Sequence, residues 1–248
     1  MTIKLLQLSD CHLQTDPQQL YRGCNPDDNL QRCLTAATAW EPDALLLSGD
    51  LADHASASAY QRLNQYIGNF GLPALAFPGN HDDLSLMNQY LSHAKFINTN
   101  PWQLGHWQVI WLDTNLSQQP HGELTIEKMK PLDQINPDQP TLLGIHHHPI
   151  EVGTPWIDRF KLGNPNVLWS KLESIHHNIQ AITWGHIHHA WSGEKVLQDK
   201  IIKLYGTPAT SACVQPGSVE FTLDPRGPKM RWFELKKDGT FNTGILSV

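Results

Sequence analysis

Short apolar runs that alternate with helical segments constrain the fold of this chain more than any other feature. Six runs are predicted to be strands, and they open the segments IKLLQL, DALLLSGD, PALAFPGNHD, HWQVIWLDT, TLLGIHHHP and QAITWGHIHH. NPDDNLQRCLTAATAW begins like a helix, with Asn25 as its cap and Pro26 first, and NVLWSKLESIHH is predicted to end one at His176 and His177. Because strands that alternate with helices pair in parallel, the pattern predicts an α/β layered core.

The sequence changes character after about residue 194. The segments KVLQDKIIKLY, VEFTL and KMRWFELKKDGTFNTGILSV alternate apolar and polar residues like antiparallel strands, and Asp238-Gly239 is a typical hairpin turn. From about residue 194 to the C-terminus, the tail therefore predicts a second, β-rich sheet packed on the first. No repeat, linker or low-complexity stretch divides the sequence, so we expect one domain over residues 1–248.

The composition indicates a globular protein and narrows its partners. The chain is 40% hydrophobic and 17% charged, which allows a packed core. Its net charge of −6 argues against a nucleic-acid partner, because phosphate backbones select basic surfaces. Bound metal ions could make the local charge positive, so a small phosphorylated substrate is still compatible with the negative net charge.

Neither a disulfide scaffold nor a membrane anchor is expected. The four cysteines form no CxxC pair, so a thiolate zinc site is not favoured. The first apolar stretch is too short for a membrane span and has no cleavage pattern. We therefore expect a cytoplasmic protein without a membrane partner, and both a monomer and a homodimer stay open.

Polar clusters follow five of the predicted strands, at the point where each strand ends. In chain order they hold Asp10 and His12, then Asp50, then Asn80, His81 and Asp82, then His146, His147 and His148, then His186, His188 and His189. In an open α/β sheet, ligands bind at the carboxyl ends of the strands. Any one cluster could be only a polar turn, but five at successive strand ends indicate one site.

The residue types in these clusters favour metal ions. Carboxylate, amide and imidazole ligands together suit iron, manganese or zinc. The clusters offer more groups than one ion can bind, and two ions about 3.5–4 Å apart that share a carboxylate would use them all. Such a pair acidifies a bridging water and clamps the attacking and leaving oxygens, and its commonest use is the hydrolysis of phosphate esters.

The ordered motifs resemble those of the calcineurin-like metallophosphoesterases. They are LSDCHL, SGDLAD, PGNHDD, IHHHP and GHIHH, between residues 8 and 189. The stretch LDTNLSQQPHGEL and the chain length are also similar to the class III cyclic-nucleotide phosphodiesterases of bacteria. The resemblance implies a four-layer α/β/β/α sandwich of two mixed sheets flanked by helices. It also implies two divalent ions per chain, iron or manganese with zinc as an alternative.

Carried over residue by residue, the resemblance implies the ligands of both ions. The set comprises Asp10, His12 and His188 for one ion, Asn80, one histidine of IHHHP and His186 for the other, and Asp50 as the bridge. His81 is then expected to contact the phosphate and to protonate the leaving oxygen as the catalytic residue. Asn80 and His188 also face the substrate in this assignment, and Asp53 is expected to orient and charge His81.

The three consecutive histidines leave the register of one ligand open. Side chains alternate along a strand, so His146, His147 and His148 cannot all face one ion. Counting back from Pro149 makes His147 the ligand, whereas counting forward along TLLGI makes it His146. We favour His146, because a buried strand has a fixed register and a loop absorbs an inserted residue more easily. By the same alternation, Cys11 should point away from its ligand neighbours and pack in the core.

The resemblance implies hydrolysis of a 3′,5′-cyclic nucleotide, cyclic AMP to 5′-AMP in the favoured case, by attack of a hydroxide that bridges the two metals. In the loop 151–166, Trp156 and Phe160 could stack on the base. A glycerophosphodiesterase or a broad-specificity phosphodiesterase shares the motif set and stays open. A non-catalytic scaffold is disfavoured, because every ligand type is present. A purple acid phosphatase is also disfavoured, because Asp53 stands where that group carries a tyrosine ligand.

Overall fold

The computed structural model describes residues 2–175 and 178–248, so the predicted helix end at His176 and His177 lies outside the described residues. The strands are β1 (Ile3–Leu8), β2 (Ala44–Ser48), β3 (Ala74–Phe77), β4 (Phe96–Ile97), β5 (Trp102–Leu104), β6 (Trp107–Trp111), β7 (Thr141–Ile145), β8 (Ile179–Trp184), β9 (Trp191–Leu197), β10 (Lys200–Gly206), β11 (Lys229–Leu235) and β12 (Phe241–Ser247). The α-helices are α1 (Pro26–Trp40), α2 (Ala57–Phe70), α3 (Leu84–Tyr90), α4 (Pro155–Asp158) and α5 (Pro165–Glu173), and a 3₁₀ helix covers Glu127–Gln134. Within these two stretches, no helix has the length and apolar character needed to cross a membrane.

The strands form two six-stranded mixed sheets. The first sheet has the order β12-β11-β1-β2-β3-β4, and the second has the order β5-β6-β7-β8-β10-β9. Parallel pairs join β1 to β2 and β2 to β3 in the first sheet, and β6 to β7 and β7 to β8 in the second. The predicted α/β class, with two mixed sheets flanked by helices, is confirmed.

The prediction that the tail forms the second sheet by itself is wrong. β10 pairs in parallel with β8 and carries β9 at the edge of the second sheet, whereas β11 pairs with β1 in the first sheet. The tail therefore completes both sheets. Period-two alternation shows that a strand has one buried face, but it does not show which strand edge it joins. The single-domain organisation stays a prediction.

Two local tail predictions have different outcomes. The Asp238-Gly239 turn connects β11 to β12, which pair from Leu235 opposite Phe241, and Gly239 has a φ of 83°. The predicted strand at 219–223 is instead an irregular loop that has one isolated bridge, between Val214 and Leu223. Phe221 in this loop contacts Arg22 and Trp156.

Three apolar clusters separate the four layers of the fold. Leu46 of β2 and Trp107 of β6 lie in the cluster between the two sheets. Leu45 and Leu47, one residue to either side of Leu46, face α1 and α2 on the outer side of the first sheet. A third cluster packs the second sheet against α5 and the 3₁₀ helix. Because helices and the second sheet cover both its faces, β2 is buried at every residue.

Candidate metal centre

The two sheets meet at the carboxyl ends of their parallel strands, and the predicted ligands lie at this junction. The backbone N–H of Asp10, after β1, donates to the carbonyl oxygen of Gly49, after β2, at 3.0 Å. The backbone N–H of His186, after β8, donates to both carboxylate oxygens of Asp10, at 3.0 and 3.1 Å. A carboxylate of the first sheet is thus held by the backbone of the second, which joins the two halves of the site.

The first predicted ligand group is assembled. The ligand atoms of Asp10, His12 and His188 all lie within 4.8 Å of one another, and all three residues are buried. Nε2 of His188 lies 3.4 Å from Oδ1 of Asp10 and 3.2 Å from Nε2 of His12. Three ligand atoms therefore converge on one point, as binding of one ion requires.

Asp50 lies between the two predicted groups. Its Oδ2 atom is 3.6 Å from Nε2 of His12, which belongs to the first group, and 3.4 Å from Nε2 of His146, which belongs to the second. Its other oxygen, Oδ1, accepts the backbone N–H of His81 at 2.9 Å. One carboxylate oxygen thus faces histidines from both sheets, which is the position that a bridging ligand would occupy.

The second group has buried polar atoms without a hydrogen-bond partner. Oδ1 of Asn80, Nε2 of His146 and Nε2 of His147 are buried and make no hydrogen bond to another described residue. Leaving such an atom unpaired costs about 1–3 kcal/mol. A cation bound among these atoms would remove that cost, so the residues present fit a metal ion.

Each predicted histidine ligand has its second ring nitrogen engaged. The Nδ1 atoms of His12, His146 and His188 face the Asp53 carboxylate and the carbonyl oxygens of Ser48 and Ala212, at 3.2, 2.8 and 2.8 Å. Nε2 of His186 lies 3.1 Å from the carbonyl oxygen of Phe160. Metal-binding histidines usually donate one N–H to such a partner, which fixes the ring and leaves the other nitrogen as the ligand.

His146 and His147 both approach the second group, but they differ in their neighbours. His146 shares a cluster with Asp10 and Asp50, whereas His147 clusters only with His146 and His186. Nδ1 of His147 is 2.8 Å from the hydroxyl of Thr114. Its contact with the Asp50 carboxylate favours His146, and the choice between the two histidines stays a prediction. The third histidine, His148, faces the carboxylate of Asp158, 3.3 Å away at the end of α4.

The backbone of the centre is strained. Asp10, His12, Asp50, His186 and His188 all have left-handed φ values, of 52, 45, 50, 66 and 56°. Non-glycine residues seldom adopt this conformation, which costs about 1–3 kcal/mol each and is concentrated at functional sites. The backbone strain is therefore independent evidence that these residues form a functional site, and the pattern of Asp and His in the sequence does not reveal it.

Close backbone approach explains one glycine of the motifs. A Cβ atom on Gly79 would press against the Oδ1 atom of Asp50 and would lie 2.7 Å from Cε1 of His146. No other residue type fits there without displacing Asp50. Packing at the centre therefore requires glycine at position 79 of the Pro-Gly-Asn-His sequence.

The electrostatics of the protein alone favour a bound cation. Burial opposes ionisation of Asp50, but His146 and other imidazoles hold its pKa well below the ordinary value. Burial likewise opposes charge on His146, but Asp50 and Asp10 raise its pKa to about 9. Burial, reinforced by neighbouring imidazoles, lowers the pKa of His186 well below its ordinary value. Two buried carboxylates thus draw positive charge to the centre, and a divalent ion can supply it in place of protons.

His81 stands beside the ligands and faces the cleft. Its Nδ1 atom donates to the backbone carbonyl oxygen of Asp53 at 2.7 Å, and the Asp53 carboxylate is 3.4 Å away. Burial opposes charge on His81, but Asp50 and the Asp53 backbone together raise its pKa. The Asp53 carboxylate lies slightly closer to His12, at 3.2 Å. Asp53 therefore serves two histidines, of which sequence reasoning predicted only His81.

Cys11 lies where the alternation of side chains predicts. It is fully buried in the cluster between the first sheet and its helices, and its sulfur accepts a hydrogen bond from Thr210 at 3.3 Å. The candidate ligand clusters of the described residues do not include it. Burial raises the pKa of its thiol to about 12, which keeps it in the neutral form that packs well.

The centre opens onto a cleft of about 440 Å³. Asp50, Asn80, His81, His186 and His188 form part of its lining, and Trp156 and Phe160 stand at its wall, as the sequence suggested. The sequence analysis did not predict that Leu20, Tyr21 and Arg22 also line the cleft.

A buried cluster of carboxylate, amide and imidazole groups, shared between two sheets and open to a cleft, defines a metal-dependent hydrolase of phosphate esters. The sequence profile of calcineurin-like phosphoesterases matches residues 3–190. The chain therefore belongs to the calcineurin-like phosphoesterase family, as its motifs indicated, and the predicted hydrolase class is confirmed.

Sequence and structure comparisons give relatives over nearly the whole chain. The 3′,5′-cyclic adenosine monophosphate phosphodiesterases CpdA of Escherichia coli strain K12 and of Haemophilus influenzae are each 32% identical to it. The matches cover 98% and 99% of this chain and 89% and 90% of theirs. A dimetal phosphatase from Danio rerio has the same fold, with a TM-score of 0.65 and 11% identity over 99% of this chain and 98% of its own.

Proposed function

We propose that the protein is a phosphodiesterase that binds two divalent metal ions and hydrolyses 3′,5′-cyclic nucleotides, with cyclic AMP as its preferred substrate. The observation that carries the proposal is the position of Asp50, whose Oδ2 atom faces His12 and His146 at 3.6 and 3.4 Å on the floor of the cleft. The names of the CpdA relatives support the substrate. Iron or manganese in the centre and a cytoplasmic location remain predictions.

The protein residues would divide into holding and reacting groups. The holding set is Asp10, His12, Asp50, Asn80, His146, His186 and His188. When bound, two divalent ions supply Lewis acidity to the phosphate and lower the pKa of an attacking water. The dense packing of the holding set, with partners behind the histidine rings, keeps the ligand atoms in place before substrate arrives.

His81 would provide the proton that the leaving oxygen needs. Its Nδ1 atom is committed to the carbonyl oxygen of Asp53, so Nε2 is the nitrogen that can serve the substrate. In a 3′,5′-cyclic nucleotide that opens to the 5′-monophosphate, the leaving oxygen is O3′ of the ribose. A proton donated there stabilises the departing alkoxide, an effect typically of about 10²–10⁴-fold on the rate.

Metal analysis combined with a substrate panel tests this proposal. We expect metal-depleted protein to be inactive and to regain turnover with manganese or iron(II). The panel is cyclic AMP, cyclic GMP, 2′,3′-cyclic nucleotides, glycerophosphodiesters and a chromogenic diester, and Asp50→Asn is the matched inactive control. No metal uptake and no turnover would contradict the enzyme, whereas much faster hydrolysis of glycerophosphodiesters would contradict the substrate alone.

A further inference from the structure

A tight turn brings two side chains to the rim of the cleft. Tyr21 and Cys24 exchange two backbone hydrogen bonds, at 2.8 and 2.9 Å, and the residues between them, Arg22 and Gly23, have φ values of 51° and 83°. This is the geometry of a two-residue turn with both central residues left-handed. The turn fixes the directions in which Tyr21 and Arg22 project, and both line the cleft.

Tyr21 connects the turn to the metal centre. Its ring lies flat on the ring of His12, with centroids 4.1 Å apart and an interplanar angle of 8°. The turn therefore begins one ring away from a predicted metal ligand. Tyr21 also packs near His188, at 6.4 Å between ring centroids.

Arg22 leads from Tyr21 to two aromatic rings on other segments of the chain. Its guanidinium carbon lies 4.5 Å from the centroid of the Phe221 ring, and Phe221 in turn meets Trp156 edge to face at 5.3 Å. Arg22 is exposed, whereas Phe221 and Trp156 are half-buried. Three segments far apart in the chain thus contribute flat side chains in a row: the turn with Arg22, the loop before β11 with Phe221, and α4 with Trp156.

We propose that Tyr21, Arg22, Phe221 and Trp156 form the wall against which the base of the cyclic nucleotide stacks, with Arg22 as a specificity-determining residue. This inference rests on the proposed function. In the substrate the base is one ribose away from the phosphate, and the wall starts beside the centre and leads away from it. Flat aromatic and guanidinium groups bind bases by stacking and cation–π contact, which every base can accept.

The main alternative is that Arg22 binds the phosphate by its charge. The two roles predict different behaviour in Arg22→Lys. Lysine keeps the charge but lacks the planar guanidinium, so it would support phosphate binding but not stacking. The position of the guanidinium over Phe221 favours stacking.

The test compares cyclic AMP with methyl 4-nitrophenyl phosphate, a small diester without a base or ribose. For Arg22→Ala we expect KM for cyclic AMP to rise by about 10-fold, with kcat nearly unchanged. The ratio of kcat/KM for cyclic AMP to kcat/KM for the small diester should fall by the same factor. Arg22→Lys should show the same loss, and it is the second variant should Arg22→Ala fail to fold. The matched control is Arg32→Ala, which removes another exposed arginine, on α1 and outside the cleft lining.

Several outcomes would overturn the inference. Equal losses on both substrates in Arg22→Ala, with recovery in Arg22→Lys, would assign Arg22 to the phosphate. Unchanged kcat/KM for both substrates in both variants would remove Arg22 from substrate binding. Wild-type protein that hydrolyses the small diester but no cyclic nucleotide would instead contradict the proposed function itself, so the two failures are distinguishable.

Discussion

Nε2 of His146 lies 3.4 Å from the carboxylate of Asp50, while the opposite nitrogen of the same ring donates to the carbonyl oxygen of Ser48 at 2.8 Å. The ring is held from both ends by residues that follow or end β2, although His146 itself follows β7. A histidine of one sheet is thus oriented by the other. Its neighbour His147 instead faces Thr114, which gives the two histidines different expected roles.

The first prediction separates these two histidines by metal content. His146→Ala should lose about one of the two bound ions, because it removes the imidazole beside Asp50. His147→Ala should keep both ions and only weaken their binding. Elemental analysis of the purified, reconstituted variants measures the stoichiometry directly. The reverse result, with an ion lost only in His147→Ala, would show that the register of the loop after β7 is shifted by one residue.

The second prediction concerns Gly79. Gly79→Ala should sharply reduce metal binding and activity, because the added methyl group would press on Oδ1 of Asp50 and on the His146 ring. Gly153→Ala is a matched control for the volume change, since nothing lies within 4 Å of a Cβ atom there. It has its own backbone cost, because Gly153 has a φ of 76°, so its melting temperature should fall while its metal content stays intact. A fully metallated and active Gly79→Ala would disprove the close-packing argument.

The third prediction concerns Asp53 as a positioning residue. Asp53→Asn keeps the backbone carbonyl that holds His81 but removes the charge next to Nδ1 of His12. Loss of such an outer partner typically costs about 10–100-fold in metal affinity or activity, so we expect a loss of about 10-fold in kcat/KM. The pH profile of the rate should change as well. Asp138→Asn, at an exposed site, serves as the control, and an unchanged rate and pH profile in Asp53→Asn would contradict the role.

The fourth prediction links buried thiols to stability at alkaline pH. Burial raises the pKa of Cys33 and that of Cys213, the latter from 9.0 to about 11. Above about pH 9 the unfolded chain loses thiol protons that the folded chain keeps, so the free energy of unfolding should fall as pH rises from 9 towards 11. The slope is at most about 1.4 kcal/mol per pH unit for each thiol.

Urea unfolding at a series of pH values measures that slope. Cys213→Ser should reduce the slope. In the native protein at pH 8, an alkylating reagent should modify Cys24 well before Cys33 or Cys213. Rapid alkylation of Cys213 under native conditions would show that the thiol is not protected.

The sequence predicted where the main strands end better than it predicted which strands pair with each other. The runs before Asp10, Asp50, Asn80 and His146 are long and apolar, and each forms a buried strand where expected. β4 and β5, of two and three residues, are too short to show a period. The tail strands show their alternation but not their sheet, because pairing depends on contacts far away along the chain.

The candidate site was partly visible in the same way. Predicted ligands such as Asp10 and His188 come together because their motifs follow parallel strands that end at one junction. The left-handed backbone of these residues was not predictable, because even Asp and His, in which this conformation is enriched, adopt it in only a minority of cases, and tertiary contacts decide where. The Tyr21–Arg22 turn and Phe221 were missed because a wall built from separate loops has no signature in any one segment.

The pairing of β1 with β11 has a consequence for how the protein is made. Ile3 lies opposite Leu235, so the strand that leads to Asp10 acquires one of its two neighbours only when almost the whole chain has been synthesised. Contacts so distant along the chain form slowly. Until β11 emerges from the ribosome, one edge of β1 is an unpaired strand edge of the kind that promotes aggregation. Metal uptake by the nascent enzyme should therefore be among the last events of its biogenesis.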